Sequence, residues 1–186
     1  MGDFMTAMLH TLGDEGGWAN NPNDLGKATN HGISLRWLRT VMPEADENTI
    51  RHMTTEGAIS LYRRHFWEPY PYYQIVDQKV CTKVFNTAVN MGPPSFNKTD
   101  PPWAHIILQR ALRACGALDV VEDGIFGPKT LDAVNRVQAL QLLGKYVAAQ
   151  SDRYREIARN NPSQAGFLPT WLARARWPLG NDQGAA

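Results

Sequence analysis

The sequence has 186 residues, of which 43% are hydrophobic and 20% are charged, and its net charge is +1. This balance is typical of one compact globular domain, with or without a small appended lobe, and it excludes a disordered chain. The small net charge argues against nucleic acid as a partner. The first ten residues carry an early acid, and their apolar run is too short for a signal peptide or a membrane span. We therefore expect synthesis in the cytoplasm, without insertion into a membrane.

Cysteine and histidine usage argues against a metal site. Cys81 and Cys115 lie within apolar helical patterns, which predicts buried free thiols rather than a disulfide. The five histidines are scattered, and neither H-E-x-x-H nor C-x-x-C occurs. We expect no metal and no cofactor.

The first apolar pattern predicts a helix. Apolar residues from Phe4 to Leu12 recur at helical spacing, so a first helix should end near Glu15, where Gly16 and Gly17 suit a helix C-terminus. The segment 20–30 is rich in Asn, Asp, Gly and Pro, which indicates a loop or a short irregular hairpin.

Helix signals continue along the chain. Ser34 is placed to cap a short helix that ends near Val41, and Thr54 or Thr55 is placed to cap the next one. A helix over 79–91 should present an inner face, formed by Val80, Val84, Ala88 and Met91.

The second half also reads as helical. Pro102 is suited to open one helix. Asp123-Gly124 predicts a turn, after which Pro128 should begin a long helix that Gly144 breaks or kinks. A final helix contains Trp171. The architecture is predicted to be mainly α.

Glu15 is the first candidate for chemistry. A general acid must hold its proton near neutral pH, so its pKa must lie well above the usual ~4.3. Trp18 is close enough in sequence to supply an apolar wall that raises this pKa. The alternative is a solvated surface glutamate before a helix stop.

Asp24 and Thr29 follow on the same loop. An ionised aspartate and a hydroxyl can hold a water that attacks a sugar carbon opposite an acid, as glycosidic hydrolysis requires. Each residue also suits simple turn hydrogen bonding. His31 is a rival base, but no serine or cysteine nucleophile accompanies it.

A set of motifs in order resembles glycoside hydrolase family 108, the lysozyme-like N-acetylmuramidases found among phage endolysins. The stretches are E-G-G-W, D-L-G-K-A-T-N-H-G-I-S, A-I-S-L-Y-R-R-H-F-W, V-F-N-T-A-V-N-M-G-P, L-Q-R-A-L, D-G-I-F-G-P-K-T and N-P-S-Q-A-G-F-L-P-T-W-L-A-R. They extend along nearly the whole chain.

The resemblance implies a lysozyme-like α-helical domain with a short irregular loop or β-hairpin lining the cleft. It implies a catalytic region over 1–98 and a helical, peptidoglycan-binding-like region over 99–186, packed as one compact unit. By resemblance Glu15 is the catalytic acid, with Asp24 and Thr29 in an acid–aspartate–threonine arrangement like that of phage-type lysozymes. The D-G-I-F-G-P-K-T stretch equally suits a tight turn that opens a helix.

Further residues are candidates for contact with the glycan, through aromatic faces or hydrogen bonds. Large aromatic residues are also typical of protein cores, so the tyrosines of the Pro-rich connector are the better groove candidates. Asn86 stands where the family pattern suggests aspartate, which removes a carboxylate there. The substrate-binding set is Trp18, His31, Tyr70, Tyr72, Tyr73, Gln74, Asn86 and Asn90, and Trp67 and Trp103 are further aromatic candidates.

The predicted function is hydrolysis of the β-1,4 bond between N-acetylmuramic acid and N-acetylglucosamine by a monomeric endolysin. Its partner is the peptidoglycan glycan strand. It would stay in the host cytoplasm until a separate factor, such as a holin, releases it to the wall. Two alternatives remain open: a lytic transglycosylase, and a non-catalytic wall-binding or secretion-assisting protein. Arginines near the C-terminus suit either a solvated face or an anionic wall polymer: Arg153, Arg155, Arg159, Arg174 and Arg176.

Overall fold

The computed structural model describes residues 1–13, 19–20, 28–91 and 101–179. The predicted mainly α architecture is confirmed. Elements of the first half are α1 (Phe4–Gly13), β1 (Ala19–Asn20), β2 (Ala28–Asn30), β3 (Ile33–Ser34), α2 (Leu35–Val41), α3 (Glu47–Arg51), α4 (Thr55–Tyr62), a π turn (Arg63–Trp67), a 3₁₀ turn (Pro71–Gln74) and α5 (Gln78–Met91). Elements of the second half are α6 (Trp103–Ala114), α7 (Pro128–Arg136), α8 (Ala139–Asn160), a 3₁₀ turn (Pro162–Phe167) and α9 (Leu168–Arg176).

The three strands form a small antiparallel meander in the order β1-β2-β3. His31 and Gly32 join β2 to β3, with φ values of 50° and 74°. Two consecutive residues with positive φ give a tight hairpin whose twist matches that of its strands. The pairing of β1 with β2 brings together the two ends of segment 20–30, where a short hairpin was expected, and the β2–β3 turn follows just beyond that segment.

Capping side chains set the starts of the short helices. Ser34 accepts a hydrogen bond from the Trp37 amide at the start of α2, and Thr54 accepts one from Gly57 at the start of α4. Both predicted caps are confirmed, with Thr54 rather than Thr55 as the cap of α4. Each satisfies an amide that the first helical turn leaves without a partner.

Beyond α4 the helix widens into the π turn. The amide of Glu68 donates to the carbonyl of Arg63 at 2.9 Å, five residues earlier. This turn directs both Phe66 and Trp67 into the core.

Helix α5 is the centre of the molecule. Every residue from Val80 to Ala88 is buried, and α1, α6 and α8 all pack against the helix. The prediction that this helix buries only one face was therefore incomplete. A helix surrounded by other helices buries side chains in all directions. Met91 lies at the end of the helix and is only partly buried.

The helical stretch is interrupted at Val137 and Gln138, between α7 and α8, and Gly144 lies inside α8. The predicted break at Gly144 is wrong. Val137 adopts extended backbone, and the Gln138 side chain accepts a hydrogen bond from the Gln141 amide, so it caps α8. This side-chain cap replaces the glycine stop that the sequence pattern indicated.

Lys83 links α5 to the far end of the chain. It is only 1% exposed, and its Nζ donates to the carbonyls of Ala175 at 2.6 Å and Arg174 at 3.4 Å. These carbonyls belong to the last turn of α9, where backbone acceptors lack helical partners. The proposed boundary between regions 1–98 and 99–186 stays a prediction.

Both cysteines are free thiols; Cys81 is buried and Cys115 partly so. Within the ranges described above, no helix has the length and apolar character needed to cross a bilayer. The same ranges contain no group of three acidic, histidine or cysteine side chains arranged to hold a metal ion.

Candidate active site and an adjoining polar pocket

Thr29 lies on the middle strand of the sheet, between Ala19 of β1 and Ser34 of β3. Its neighbours Ala28 and Asn30 are buried. Because side chains alternate between the two faces of a strand, Thr29 lies on the face opposite to them. Its side chain is half-buried. The hydroxyl is therefore on the face of the hairpin that is not used for the core.

The other face of the hairpin is fixed to α3. The side-chain amide of Asn30 donates to the carbonyls of Ile50 at 3.0 Å and Arg51 at 3.3 Å. These bonds use the carbonyls at the end of a helix, which otherwise lack partners. The strand that carries Thr29 is thereby held in place from behind.

Three predicted site residues, Glu15, Trp18 and Asp24, lie outside the described residues. In the sequence Glu15 and Trp18 fall between α1 and β1, and Asp24 falls between β1 and β2. Their roles stay predictions.

Helices α1 and α5 begin side by side. The Asp3 amide donates to Oε1 of Gln78 at 2.6 Å, and Nε2 of Gln78 donates back to the Asp3 carbonyl at 3.1 Å. The helices pack along each other, so they run in the same direction. At ~1.5 Å rise per residue, α1 ends beside the second half of α5. That half carries Asn86 and Asn90.

His31 lies at the tip of the β2–β3 turn with a half-buried side chain. Its carbonyl accepts a hydrogen bond from the Tyr62 hydroxyl at 3.0 Å. This bond fixes the turn to α4, and the imidazole remains a candidate for substrate contact.

Tyr72 is not a groove residue. It is completely buried, its ring contacts Trp67 and Phe85, and its hydroxyl lies 2.7 Å from Nε2 of His105. The prediction that Tyr72 contacts substrate is therefore wrong. The same holds for Trp67, which is 6% exposed in this aromatic core. The short 3₁₀ turn directs this tyrosine inward, whereas an irregular connector was expected to leave it outside.

Its neighbours on the connector are more accessible. Tyr73 is 50% exposed, and its hydroxyl accepts a hydrogen bond from Nε2 of Gln74 at 3.0 Å. Tyr70 is partly buried with its ring edge-on to His105, the centroids 4.9 Å apart. Tyr70, Tyr73 and Gln74 remain candidates.

The two asparagines of α5 differ in exposure. Asn86 is 5% exposed, within the buried stretch of the helix. Asn90 is partly exposed one turn later, and its Oδ1 accepts a hydrogen bond from the Tyr154 hydroxyl at 2.7 Å.

Asn90 also lines a pocket of about 400 Å³ between the end of α5, the start of α6, and helices α8 and α9. The sequence identified Asn90 and Trp103 as candidates for glycan contact, and Arg153 as one of several arginines that suit a solvated face or an anionic wall polymer. No local pattern predicts that these residues, from distant parts of the chain, line one pocket. The lining is completed by Met91, Arg153, Tyr154, Ile157, Asn161, Gln164 and Trp171.

Arg153 is the charged centre of this pocket. Its side chain is 18% exposed, and its guanidinium stacks on Trp103, with Cζ 3.5 Å from the ring centroid. Nη1 donates to Oε2 of Glu156 at 2.8 Å. That hydrogen bond lowers the pKa of Glu156, so the pair stays ionised. The interpretation of Arg153 as part of a solvated helix face is therefore wrong.

The D-G-I-F-G-P-K-T stretch forms a turn organised by a buried glutamine. Nε2 of Gln109 donates to Oδ1 of Asp123 at 2.7 Å and to the Ile125 carbonyl at 3.1 Å. Oε1 of Gln109 accepts from the Gly124 amide at 2.7 Å. The turn leads into α7 at Pro128, as predicted. Wall binding by this element stays a prediction.

Two family models match the sequence. The glycosyl hydrolase 108 model matches residues 8–92, and a model described as a predicted peptidoglycan domain matches residues 103–176. The first part of the sequence therefore matches the glycosyl hydrolase 108 family, and the second part matches a peptidoglycan domain. Together the two matches support glycoside hydrolase activity on peptidoglycan, with peptidoglycan as the partner. The hydrolase segment contains Glu15, Asp24 and Thr29.

Among solved structures, that of Brucella abortus SagA is similar to this chain, with a TM-score of 0.70. The match covers 96% of this chain and 97% of SagA at 23% sequence identity. At this identity the likeness shows the fold alone, and the lysozyme-like, mainly α prediction is confirmed. No curated protein matches the sequence.

Proposed function

We propose that this protein hydrolyses the β-1,4 bond that follows N-acetylmuramic acid in the glycan strand. The observation that carries the proposal is the hydrolase match over residues 8–92, which contains an acid, a second carboxylate and a threonine in the order that this reaction needs. The position of Thr29 on the hairpin face opposite to the buried residues Ala28 and Asn30 supports it.

In the proposed reaction Glu15 donates its proton to the glycosidic oxygen while the bond from that oxygen to the anomeric carbon breaks. Asp24 stabilises the positive charge that develops on the sugar. Thr29 orients a water, whose oxygen forms the new bond to the anomeric carbon and whose proton passes to Asp24 or to solvent. The products are two shorter strands, one of which carries a new reducing end.

The proposed setting is phage lysis. The protein acts as a monomeric endolysin that accumulates in the host cytoplasm and reaches the wall after a holin-like factor opens the membrane. Expression in bacteria with and without a co-expressed holin tests this setting. Lysis that requires the holin supports it, and lysis without any holin contradicts it.

The direct test compares wild type with Glu15→Gln on purified peptidoglycan. The amide cannot donate the proton, so release of reducing ends should fall by about a hundredfold or more. Glu44→Gln is the matched control, because Glu44 is exposed and should be replaceable without effect. Full activity in Glu15→Gln would remove Glu15 from the mechanism.

Mass spectrometry of the products separates this proposal from its enzymatic rival. Hydrolysis gives reducing N-acetylmuramic acid, whereas a lytic transglycosylase gives 1,6-anhydro ends, because the muramic 6-hydroxyl replaces water. Sedimentation with cell walls, without loss of turbidity or any new ends, would instead indicate a wall-binding protein without activity.

A further inference from the structure

We infer that the pocket around Arg153 binds the carboxylate-bearing stem peptide of peptidoglycan, rather than a sugar ring. The inference rests on the proposed function, because it concerns the same substrate. It is independent of how the glycosidic bond is cleaved. We call this site the peptide pocket, and it is lined by the residues named above from Asn90 to Trp171.

The tryptophan faces of the peptide pocket are already engaged. The Arg153 guanidinium stacks on Trp103, and that of Arg110 lies 5.5 Å from the same ring. Trp171 stacks with Tyr154 at 5.5 Å and with Phe167 at 6.0 Å between centroids. A sugar platform needs an open aromatic face, so these rings serve mainly to hold the polar groups in place.

A chain of hydrogen bonds fixes Asn90 as a donor. Nε2 of Gln150 donates to the Tyr154 hydroxyl at 3.2 Å, and that hydroxyl donates to Oδ1 of Asn90 at 2.7 Å. Tyr154 is 2% exposed and Gln150 is fully buried, so the chain is shielded from water. With Oδ1 occupied, the NH₂ group of Asn90 is left to bind a ligand that accepts hydrogen bonds.

Arg153 supplies the second set of donors. Glu156 accepts from Nη1, and no described residue accepts a hydrogen bond from the buried Nε of Arg153. A buried donor without a partner is unfavourable, and an acceptor that enters the pocket can relieve it after a small adjustment. Stacking on Trp103 and the bond to Glu156 hold the guanidinium in one orientation, which suits recognition of a planar carboxylate.

The charge around the peptide pocket also favours an anion. Arg174 acts electrostatically on Tyr154, and both Arg110 and Arg159 act on Glu156. Among the described residues that these interactions connect to the pocket, the acids are Glu156 and Glu122, and Glu122 pairs with Arg110 at 2.9 Å. The arginines of this set therefore outnumber its acids.

The place of the pocket suits a peptide attached to the sugar strand. Asn90 and Met91 lie within the segment that matches the hydrolase family, and Arg153 lies within the segment that matches the peptidoglycan domain. The stem peptide is attached to the lactyl group of N-acetylmuramic acid, next to the bond that is cleaved. Four extended residues reach about 13–14 Å.

The test is calorimetric binding of two soluble probes, the disaccharide tetrapeptide from peptidoglycan and the same disaccharide without its peptide. Wild type should bind the tetrapeptide form at least about tenfold more tightly, as expected for one charged contact. Blocking the peptide carboxylates as amides should abolish this preference. Equal affinity for the two probes in wild type would overturn the inference.

Two variants locate the preference. Arg153→Gln removes the charge and Asn90→Asp replaces the donor by a repelling carboxylate, so each should reduce tetrapeptide affinity to that of the bare disaccharide. Arg155→Gln is the control, because Arg155 is exposed on the same helix and pairs with Asp152. If the Arg153→Gln variant does not fold, the affinity of Asn90→Asp for the tetrapeptide probe decides the test. An unchanged preference in folded variants contradicts the inference.

A third variant separates this inference from the proposed function. Glu15→Gln should lose the release of reducing ends but keep the preference for the tetrapeptide probe. If it stays active, the proposed catalytic role fails, whereas the binding preference is judged on its own result.

Discussion

The hydroxyl of Tyr72 donates a hydrogen bond to Nε2 of His105 across 2.7 Å inside the core. Nδ1 of His105 lies 3.1 Å from the carbonyl of Gly124. A carbonyl only accepts, so Nδ1 carries the proton and Nε2 accepts from Tyr72. The imidazole is therefore held neutral, with both nitrogens paired, and it links the connector to the turn before α7.

This pair predicts that stability depends on pH. Burial lowers the pKa of His105 to about 4, against an ordinary value of 6.5. The unfolded chain therefore takes up this proton at a higher pH than the folded one does. The neutral His105 contributes fully to the free energy of unfolding above pH 6.5. This contribution is lost as the pH falls toward 4, by about 3 kcal/mol in total. Urea unfolding across pH 4–7 measures it.

His105→Phe removes the titrating group and should flatten the dependence of the free energy of unfolding on pH between 4 and 6.5, although the variant is less stable overall. His52→Gln is the control, because His52 is exposed. Parallel curves for wild type and His105→Phe would show that other groups control stability in this window.

Gly124 and Gly116 form a matched pair of positive-φ glycines, at 73° and 95°. A Cβ at Gly124 would overlap the ring of Pro102, whereas one at Gly116 would meet nothing within 4 Å. We expect Gly116→Ala to destabilise by about 1–2 kcal/mol through backbone strain. Gly124→Ala should add about 1–3 kcal/mol from the clash. Urea unfolding of the two variants tests this order, and equal losses would contradict it.

Lys83→Met should loosen the end of α9. It leaves the carbonyls of Arg174 and Ala175 without their charged donor, which we expect to destabilise the fold by about 2 kcal/mol. Amide hydrogen exchange should accelerate first in α9. Lys79→Met serves as control on the same helix, since Lys79 is exposed and should change stability by less than about 0.5 kcal/mol. Equal effects at the two lysines would exclude a specific role for Lys83.

Thr29→Ala should lower the rate of reducing-end release by about tenfold to a hundredfold, because the attacking water loses its orienting hydroxyl. The melting temperature should change little, since Thr29 is only half-buried. Thr29→Ser keeps the hydroxyl and should restore most of the rate. Thr55→Ala, at an exposed helix position, is the neutral comparison. A Thr29→Ala variant with the wild-type rate would remove Thr29 from the reaction.

Local chemistry made much of the fold predictable. Ser34 and Thr54 were identifiable as caps because a cap depends only on residues three positions ahead. The turn at Asp123 and Gly124 was identifiable for a similar reason, since its residue types suit a tight turn.

Other features depend on contacts between distant parts of the chain. The burial of Tyr72 depends on His105, which lies 33 residues away. The stacking of Arg153 on Trp103 joins α8 to α6. Neither contact can be recognised from local periodicity, so the burial of Tyr72 and the stacking of Arg153 on Trp103 were not predicted. The order of Glu15, Asp24 and Thr29 points to the reaction, and mutagenesis must test it.

The π turn between Arg63 and Trp67 bears on how relatives should be compared. A π turn closes its hydrogen bond over five residues instead of four, so it holds one residue more than a regular turn of α-helix. A relative whose helix is regular at this point should be one residue shorter there. An ungapped alignment would then shift every aromatic position beyond the turn by one, and placing one gap within 62–68 restores the correspondence.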